Sequence, residues 1–179
     1  MIRATLLSAA LSTVALVAPA APALADQPPV VGAQLNKEDR QFLDDAAQGG
    51  LSEVKLGQFV VKQGSAEEVK RFAQRMIDDH GKLNQRLAEV AQKEGMSVPQ
   101  ELDKKHQEAF DKLGQYRGTK LDQEYMSTMV SDHEDDVKAF EKQAKEGQDP
   151  ALKQFAASAL PTLNEHLAEA RQIYEHIKK

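Results

Sequence analysis

The stretch VKRFAQRMIDDHGKLNQRLAEVA, residues 69–91, decides the fold class of this chain. Its apolar residues recur every three or four positions, which is the period of an amphipathic α-helix. They are Val69, Phe72, Ala73, Met76, Ile77, Leu83, Leu87, Val90 and Ala91. The same spacing covers nearly all of residues 37–177, and no segment alternates with the period of two that marks a half-buried strand. The sequence therefore predicts an all-α protein.

Breaks in this periodicity divide the chain into four long helices and one short helix. The long helices are predicted at residues 37–63, 65–95, 119–145 and 150–177, and the short helix at 100–113. Ser65 and Glu68 have the spacing of a capping box at the start of the second long helix. Asp149 followed by Pro150 is a typical start for the last one. Amphipathic helices bury their apolar faces against one another, so a four-helix bundle is expected.

The linkers between the helices predict how the bundle is connected. Turns of a few residues join the first long helix to the second and the third to the fourth, so each pair should form an antiparallel hairpin. Between the hairpins, residues 95–118 are numerous enough to cross the length of a long helix, roughly 40 Å. A bundle with one long crossover, here carrying the short helix, has the ferritin-like arrangement.

The first 25 residues have the features of a secretory signal peptide. Arg3 is followed by an apolar run that ends at Ala18, and the small residues Ala23 and Ala25 form a cleavage site. The run is shorter than the ~20 residues that a membrane-spanning helix needs. We therefore expect an exported protein, periplasmic or secreted, without a membrane span after cleavage. Residues 26–36 are expected to be a disordered lead-in and residues 37–179 the folded domain.

The composition argues against several classes of function. The chain has no cysteine, which excludes disulfides, thiolate metal sites and cysteine nucleophiles. Its formal net charge of -5 at pH 7, without a basic stripe, argues against binding to nucleic acid. No Ser-His-Asp order, phosphate-binding loop or glycosidase-like pair of carboxylates indicates a known class of enzyme. A protein partner or a homo-oligomer remains open at this point.

One metal-competent side chain lies on the apolar face near the midpoint of each long helix. These residues are Glu53, His80, His133 and His166. Because the midpoints of neighbouring helices lie level whichever way the helices run, the four side chains should meet at the centre of the bundle. A buried carboxylate is unfavourable by several kcal/mol unless it is paired or bound to a cation. The pattern therefore predicts either a metal site or a buried Glu–His network with a structural role.

Further acidic residues accompany the three histidines. Asp79, Asp132 and Glu165 each precede a histidine directly, so they should lie beside the site and could accept a hydrogen bond from an imidazole. Asp136 and Glu169 each follow a histidine by three residues and lie nearer the core edge, which makes them reserve ligands.

Four stretches of the chain resemble an exported bacterial ferritin-like family of unknown function. They are GGLSEVKLG (49–57), VKRFAQRMIDDH (69–80), LDQEYMSTMVSDH (121–133) and FAASALPTLNEHL (155–167). The resemblance covers residues 37–177 and implies a ferritin-like bundle whose biochemistry is not established. Glu53, His80, His133 and His166 stand where that family has the same residue types.

The four residues differ from the di-iron centre of ferritins. That centre takes a Glu three residues before a His on two of its helices, whereas Ile77, Val130 and Leu163 occupy those positions here. One Glu and three His suit a single ion, and Zn, Cu, Mn and mononuclear Fe are all compatible. The leading hypothesis is an exported bundle that binds one such ion in metal homeostasis or stress defence. The alternative is a non-catalytic structural or interaction module.

Overall fold

The computed structural model describes residues 35–178, and all the regular structure in this range is helical. The elements are α1 (Lys37–Gln63), α2 (Glu67–Lys93), α3 (Lys104–Leu113), α4 (Gly118–Glu146) and α5 (Pro150–Ile177). The all-α class, the four long helices and the short helix in the crossover are confirmed. The predicted signal peptide and residues 26–34 of the predicted lead-in lie outside the described residues.

Contacts at the helix ends show the direction of each helix. The turn after α1 meets the start of α4, because the backbone N–H groups of Ser65 and Ala66 donate to the carboxylate of Asp122. The start of α2 meets the end of α5 through Glu68 and His176. Hence α4 runs opposite to α1, and α5 runs opposite to α2. The crossover from α2 to α4 therefore spans the length of the bundle, as the length of this linker predicted.

Two residues of the predicted lead-in, Leu35 and Asn36, are part of the folded domain. Leu35 is buried in the core, and the side chain of Asn36 caps α1 by accepting a hydrogen bond from the N–H of Asp39. The helical period does not extend to these two residues, because one lies before the helix and the other is its cap. They belong to the domain rather than to a disordered lead-in.

Two buried aspartates fasten the turns of the two hairpins. Asp122 accepts hydrogen bonds from the backbone N–H groups of Ser65 and Ala66. Asp39 does the same in the turn between α4 and α5, residues 147–149. The capping box predicted at Ser65 is therefore wrong, because the acceptor comes from α4 and not from α2 itself.

Replacing Asp39 with alanine should lower the free energy of unfolding by about 2 kcal/mol, because N–H groups of a half-buried turn lose their acceptor. Urea denaturation measures this change. Asp44→Ala is the matched control, since Asp44 is exposed on the same helix and should change the value by no more than about 0.5 kcal/mol. Equal effects of the two substitutions would contradict the assigned role of Asp39.

Buried apolar side chains form two clusters, one towards each end of the bundle. One is built around Leu43, Leu87 and Phe155. The other is built around Val60, Phe72 and Leu121. Between the two clusters lie the polar residues at the helix midpoints. Within residues 35–178, no helix is both long and apolar enough to cross a membrane.

Candidate metal centre

His80 of α2, His133 of α4 and His166 of α5 meet at the centre of the bundle. The ring centroids of His80 and His133 lie 5.5 Å apart, and each lies 5.3 Å from that of His166. All three side chains are buried. One ring nitrogen from each lies within 4.8 Å of those of the other two. The structure thus brings together the three histidines that the sequence placed level with one another.

Hydrogen bonds assign the protonated nitrogen in two of the rings. Nδ1 of His133 lies 2.9 Å from the carbonyl oxygen of Met129, which can only accept, so this nitrogen carries the proton. Nε2 of His166 lies 3.1 Å from Oδ2 of Asp79 and carries its proton for the same reason. The remaining nitrogens, Nε2 of His133 and Nδ1 of His166, face each other at 3.3 Å. Both therefore present lone pairs, and no hydrogen bond joins two lone pairs.

No hydrogen bond assigns the proton of the third histidine. Nδ1 of His80 lies 2.7 Å from Oε2 of Glu53, without the angle of a hydrogen bond. Its Nε2 is buried and has no hydrogen-bond partner among residues 35–178. In a tetrahedral site with Zn–N bonds of about 2.0 Å, two nitrogen ligands stand about 3.3 Å apart. The facing nitrogens of His133 and His166 already have this separation.

Glu53 reaches the histidine cluster from α1 and lies beside the Nδ1 atoms of His80 and His133. Its carboxylate oxygens lie 2.7 Å from Nδ1 of His80 and 3.5 Å from Nδ1 of His133. Neither contact has the angle of a hydrogen bond, so both oxygens lack a hydrogen-bond partner within the described range. The sequence predicted Glu53 as a fourth ligand; its carboxylate lies beside Nδ1 of His80 and of His133, outside the group of three histidine nitrogens that lie within 4.8 Å of one another.

Burial keeps the imidazoles neutral. It lowers the pKa of His80 to about 4 and that of His166 to about 3. It also lowers the pKa of His133. Burial has the opposite effect on a carboxyl group and raises the pKa of Glu53 to about 7, while the neighbouring His133 acts to lower it. The neutral imidazole is the form that binds metal ions, so the cluster keeps its lone pairs at neutral pH.

A charged network joins α2 to α5 beside the histidines. Arg75 lies 3.3 Å from Asp79 and also donates to Glu165 at 2.6 Å and to Glu169 at 2.7 Å. Burial by itself would raise the pKa of Asp79. Hydrogen bonds, above all the one from His166, have the larger combined effect and lower this pKa. Asp79 is thus a carboxylate that accepts from His166, the position that the sequence suggested for it.

The other acidic neighbours take different positions. Glu165 and Glu169 bind Arg75 instead of an imidazole, and Asp132 is exposed. The sequence analysis missed Arg75. Arg75 precedes Asp79 by four residues on a predicted helix, and residues with this spacing are neighbours on a helix surface. This spacing could have indicated an ion pair between the two.

A cleft of about 430 Å³ lies between α1, α3 and α4 and reaches Glu53. Six carboxylates line it, namely Asp45, Glu53, Glu124, Asp132, Asp135 and Asp136, together with the cationic residues Lys105 and Lys112 of α3. A smaller cavity of about 20 Å³ shares Glu53 and Asp136 with the cleft, and His80 and Asn84 also line it. Glu53 therefore separates the acidic cleft from the buried histidines.

Comparison with known families identifies the domain. The model of a family described as a domain of unknown function, DUF4142, matches residues 24–173. The chain belongs to this family. The resemblance to a family of unknown function, inferred from four short stretches of sequence, is thereby confirmed. A search of curated proteins found no match.

The DUF4142 domain shares its fold with several solved structures. A DUF305 fragment from Deinococcus radiodurans matches with a TM-score of 0.69 and 10% identity, over 80% of this chain and 99% of that one. A DUF305 protein from Streptomyces coelicolor matches with a TM-score of 0.66 and 14% identity, over 79% and 94%. CopM in the Ag-bound form matches with a TM-score of 0.63 and 15% identity, over 77% and 96%, and CopM in the Cu(II)-bound form also matches. At these identities the likeness shows the fold alone.

Proposed function

We propose that this protein binds one divalent transition-metal ion between His80, His133 and His166, as an exported protein of metal homeostasis. The observation that carries the proposal is the convergence of three buried histidines, of which one nitrogen each lies within 4.8 Å of the others, with the lone pairs of His133 and His166 facing each other. The other nitrogen of each ring faces an oxygen atom. This oxygen is the carbonyl of Met129 for His133, a carboxylate oxygen of Asp79 for His166 and a carboxylate oxygen of Glu53 for His80. Carbonyl and carboxylate acceptors of this kind are the usual partners of metal-binding histidines.

Without a cation, the cluster destabilises the fold. Two lone pairs face each other at 3.3 Å, and Nε2 of His80 is buried without a hydrogen bond from residues 35–178. A buried polar group without a partner costs about 1–3 kcal/mol. One cation would satisfy all three nitrogens, and the carboxylates of Glu53 and Asp79 would balance its charge.

Copper and zinc suit this donor set best among the metals that the sequence left open. Imidazole nitrogen favours Cu and Zn, whereas Mn prefers carboxylate oxygen. With the same ligands, Cu²⁺ binds more tightly than Zn²⁺ in the general order of divalent metals. CopM, which has a similar fold, has been solved in a Cu(II)-bound form and in an Ag-bound form, and this supports copper. We therefore expect Cu²⁺ to bind most tightly.

A metal titration of the purified, untagged protein tests the proposal. Competition with a coloured chelator, checked by elemental analysis, should give one equivalent of Cu²⁺ or Zn²⁺ per chain, with Cu²⁺ bound more tightly. His176→Gln is the control, because this exposed histidine pairs with Glu68 far from the cluster. Less than about a tenth of an equivalent with every metal would contradict the proposal and favour the structural Glu–His network.

Asp79→Asn should weaken metal binding by about 10–100-fold, because an amide carries no charge to hold the N–H of His166 and to balance the ion. The same chelator competition measures this effect. Asp78→Asn is the matched control, since Asp78 is exposed on the same helix and accepts a hydrogen bond from Gln74 instead of an imidazole. An equal loss in both variants would mean that only the general negative charge of the surface matters.

A further inference from the structure

The two hairpins of the bundle are related by a constant offset in the sequence. Asp39 on α1 and Asp122 on α4 have the same task, because each accepts the N–H groups of the turn in the other hairpin. At the same offset, Glu53 on α1 corresponds to Asp136 on α4. The fold thus brings two carboxylates to equivalent positions on the two helices that flank the acidic cleft.

Glu53 and Asp136 face the same enclosed space. Both line the large cleft and also the adjoining cavity of about 20 Å³, which is room for one ion or one water molecule. Glu53 is only 3% exposed, and neither of its oxygens has a hydrogen-bond partner in the described part of the chain. Asp136 likewise forms no hydrogen bond or ion pair with residues 35–178. The lysines that line the cleft therefore do not neutralise either carboxylate directly.

We propose that Glu53 and Asp136 form an oxygen-ligand site for a hard divalent cation, at the inner end of the cleft and separate from the three histidines. Glu53 is buried and Asp136 is half-buried, and two neighbouring carboxylates so placed repel each other unless a proton or a cation compensates their charge. Carboxylate oxygens are the ligands that Mn²⁺, Mg²⁺ and Ca²⁺ prefer. Asn84 lines the same cavity and adds an amide oxygen. The remaining carboxylates of the cleft attract cations towards this end.

Glu53 can act in both places because its two oxygens have different neighbours. Oε2 lies 2.7 Å from Nδ1 of His80, while Oε1 lies 3.5 Å from Nδ1 of His133, whose proton is already donated to Met129. Oε1 has no hydrogen-bond partner among residues 35–178 and is therefore available to a cation. The site requires no ion between the histidines, so it stands independently of the proposed function.

A Mn²⁺ titration followed by electron paramagnetic resonance tests this site. The titration is carried out on two samples in which Mn²⁺ cannot use the intact three-histidine site. In the first, Zn²⁺ occupies that site. In the second, His166→Leu removes a histidine that has no contact with Glu53. We expect about one bound Mn²⁺ per chain in both samples. Asp136→Asn should weaken Mn²⁺ binding by about tenfold or more, while its binding of Zn²⁺ persists.

Asp135→Asn is the matched control, because Asp135 is exposed and lines the same cleft. It should weaken Mn²⁺ binding far less than Asp136→Asn does, because Asp135 contributes only attraction at a distance. Absence of bound Mn²⁺ in the wild type, or an equal loss in the two variants, would overturn the proposal. If circular dichroism shows that Asp136→Asn is unfolded, Glu53→Gln provides the same test. Unchanged Mn²⁺ binding in Glu53→Gln would also overturn the proposal. Binding of Mn²⁺ without binding of Cu²⁺ or Zn²⁺ would support this site and refute the three-histidine site, and the reverse result would do the opposite.

Discussion

Replacing His133 with leucine is expected to weaken the binding of Cu²⁺ or Zn²⁺ by at least about 100-fold. His133 supplies the nitrogen from α4: its Nε2 faces His166 at 3.3 Å, and its Nδ1 donates to the carbonyl of Met129. Without it, two nitrogens on α2 and α5 remain, and the ion loses its ligand from α4. Leucine is close to histidine in volume, so the core should still close around the position.

Two measurements separate the loss of a ligand from the loss of the fold. Chelator competition gives the affinity, with His176→Leu as the control for a histidine outside the cluster. Thermal unfolding of the metal-free protein should show His133→Leu to be at least as stable as the wild type, because leucine removes a buried lone pair that has no donor. Unchanged metal affinity in His133→Leu would mean that the ion binds elsewhere.

Glu53→Gln should raise the free energy of unfolding of the metal-free protein by about 1 kcal/mol at pH 5 and by about 3 kcal/mol at pH 8.5. Burial raises the pKa of Glu53 from 4.5 to about 7 in the folded protein. The folded state therefore holds a proton that the unfolded state has released. This contribution to stability is fully present below pH 4.5 and is lost as the pH rises through about 7. Glutamine does not ionise, so the variant avoids the loss.

Urea denaturation at the two pH values, in the presence of a chelator, measures the difference between wild type and variant. The histidines act with the opposite sign, because burial lowers the pKa of His80 to about 4 and that of His166 to about 3. Their contribution is present above pH 6.5 and is lost as the pH falls through these values. To a first approximation the contribution of the histidines is the same in the wild type and in Glu53→Gln, so it cancels when their unfolding free energies are subtracted. A difference in unfolding free energy that stays constant between pH 5 and 8.5 would contradict the burial of an ionisable Glu53. Glu38→Gln is the control, because Glu38 is exposed on the same helix, and it should leave the unfolding free energy unchanged at both pH values.

The helical period sufficed to predict the architecture and the meeting of the histidines. A period of 3.6 residues fixes the direction of each side chain around its helix, and the equal lengths of the long helices fix the level. His80, His133 and His166 could therefore be placed at one point before any contact was known. The long linker between the hairpins was equally informative, because its length exceeds what a tight turn needs.

Contacts between helices could not be predicted from the sequence in the same way. Periodicity places Cβ on a face of a helix but does not say which ring nitrogen turns inward, since that depends on acceptors on other helices, such as Asp79 for His166. The acceptor for the turn at Ser65 is Asp122, far away in the sequence, and this is why the local capping pattern misled. Arg75 was overlooked for a related reason, because two of its three carboxylate partners lie on α5.

X-ray absorption at the copper or zinc edge of the metal-loaded protein tests the central claim most directly. The account predicts three imidazole nitrogens at about 2.0 Å from the ion, with the outer-shell scattering that imidazole rings produce. His166→Leu should remove one of the three. A spectrum of oxygen ligands without imidazole scattering, from protein that has bound one equivalent of metal, would contradict the three-histidine site.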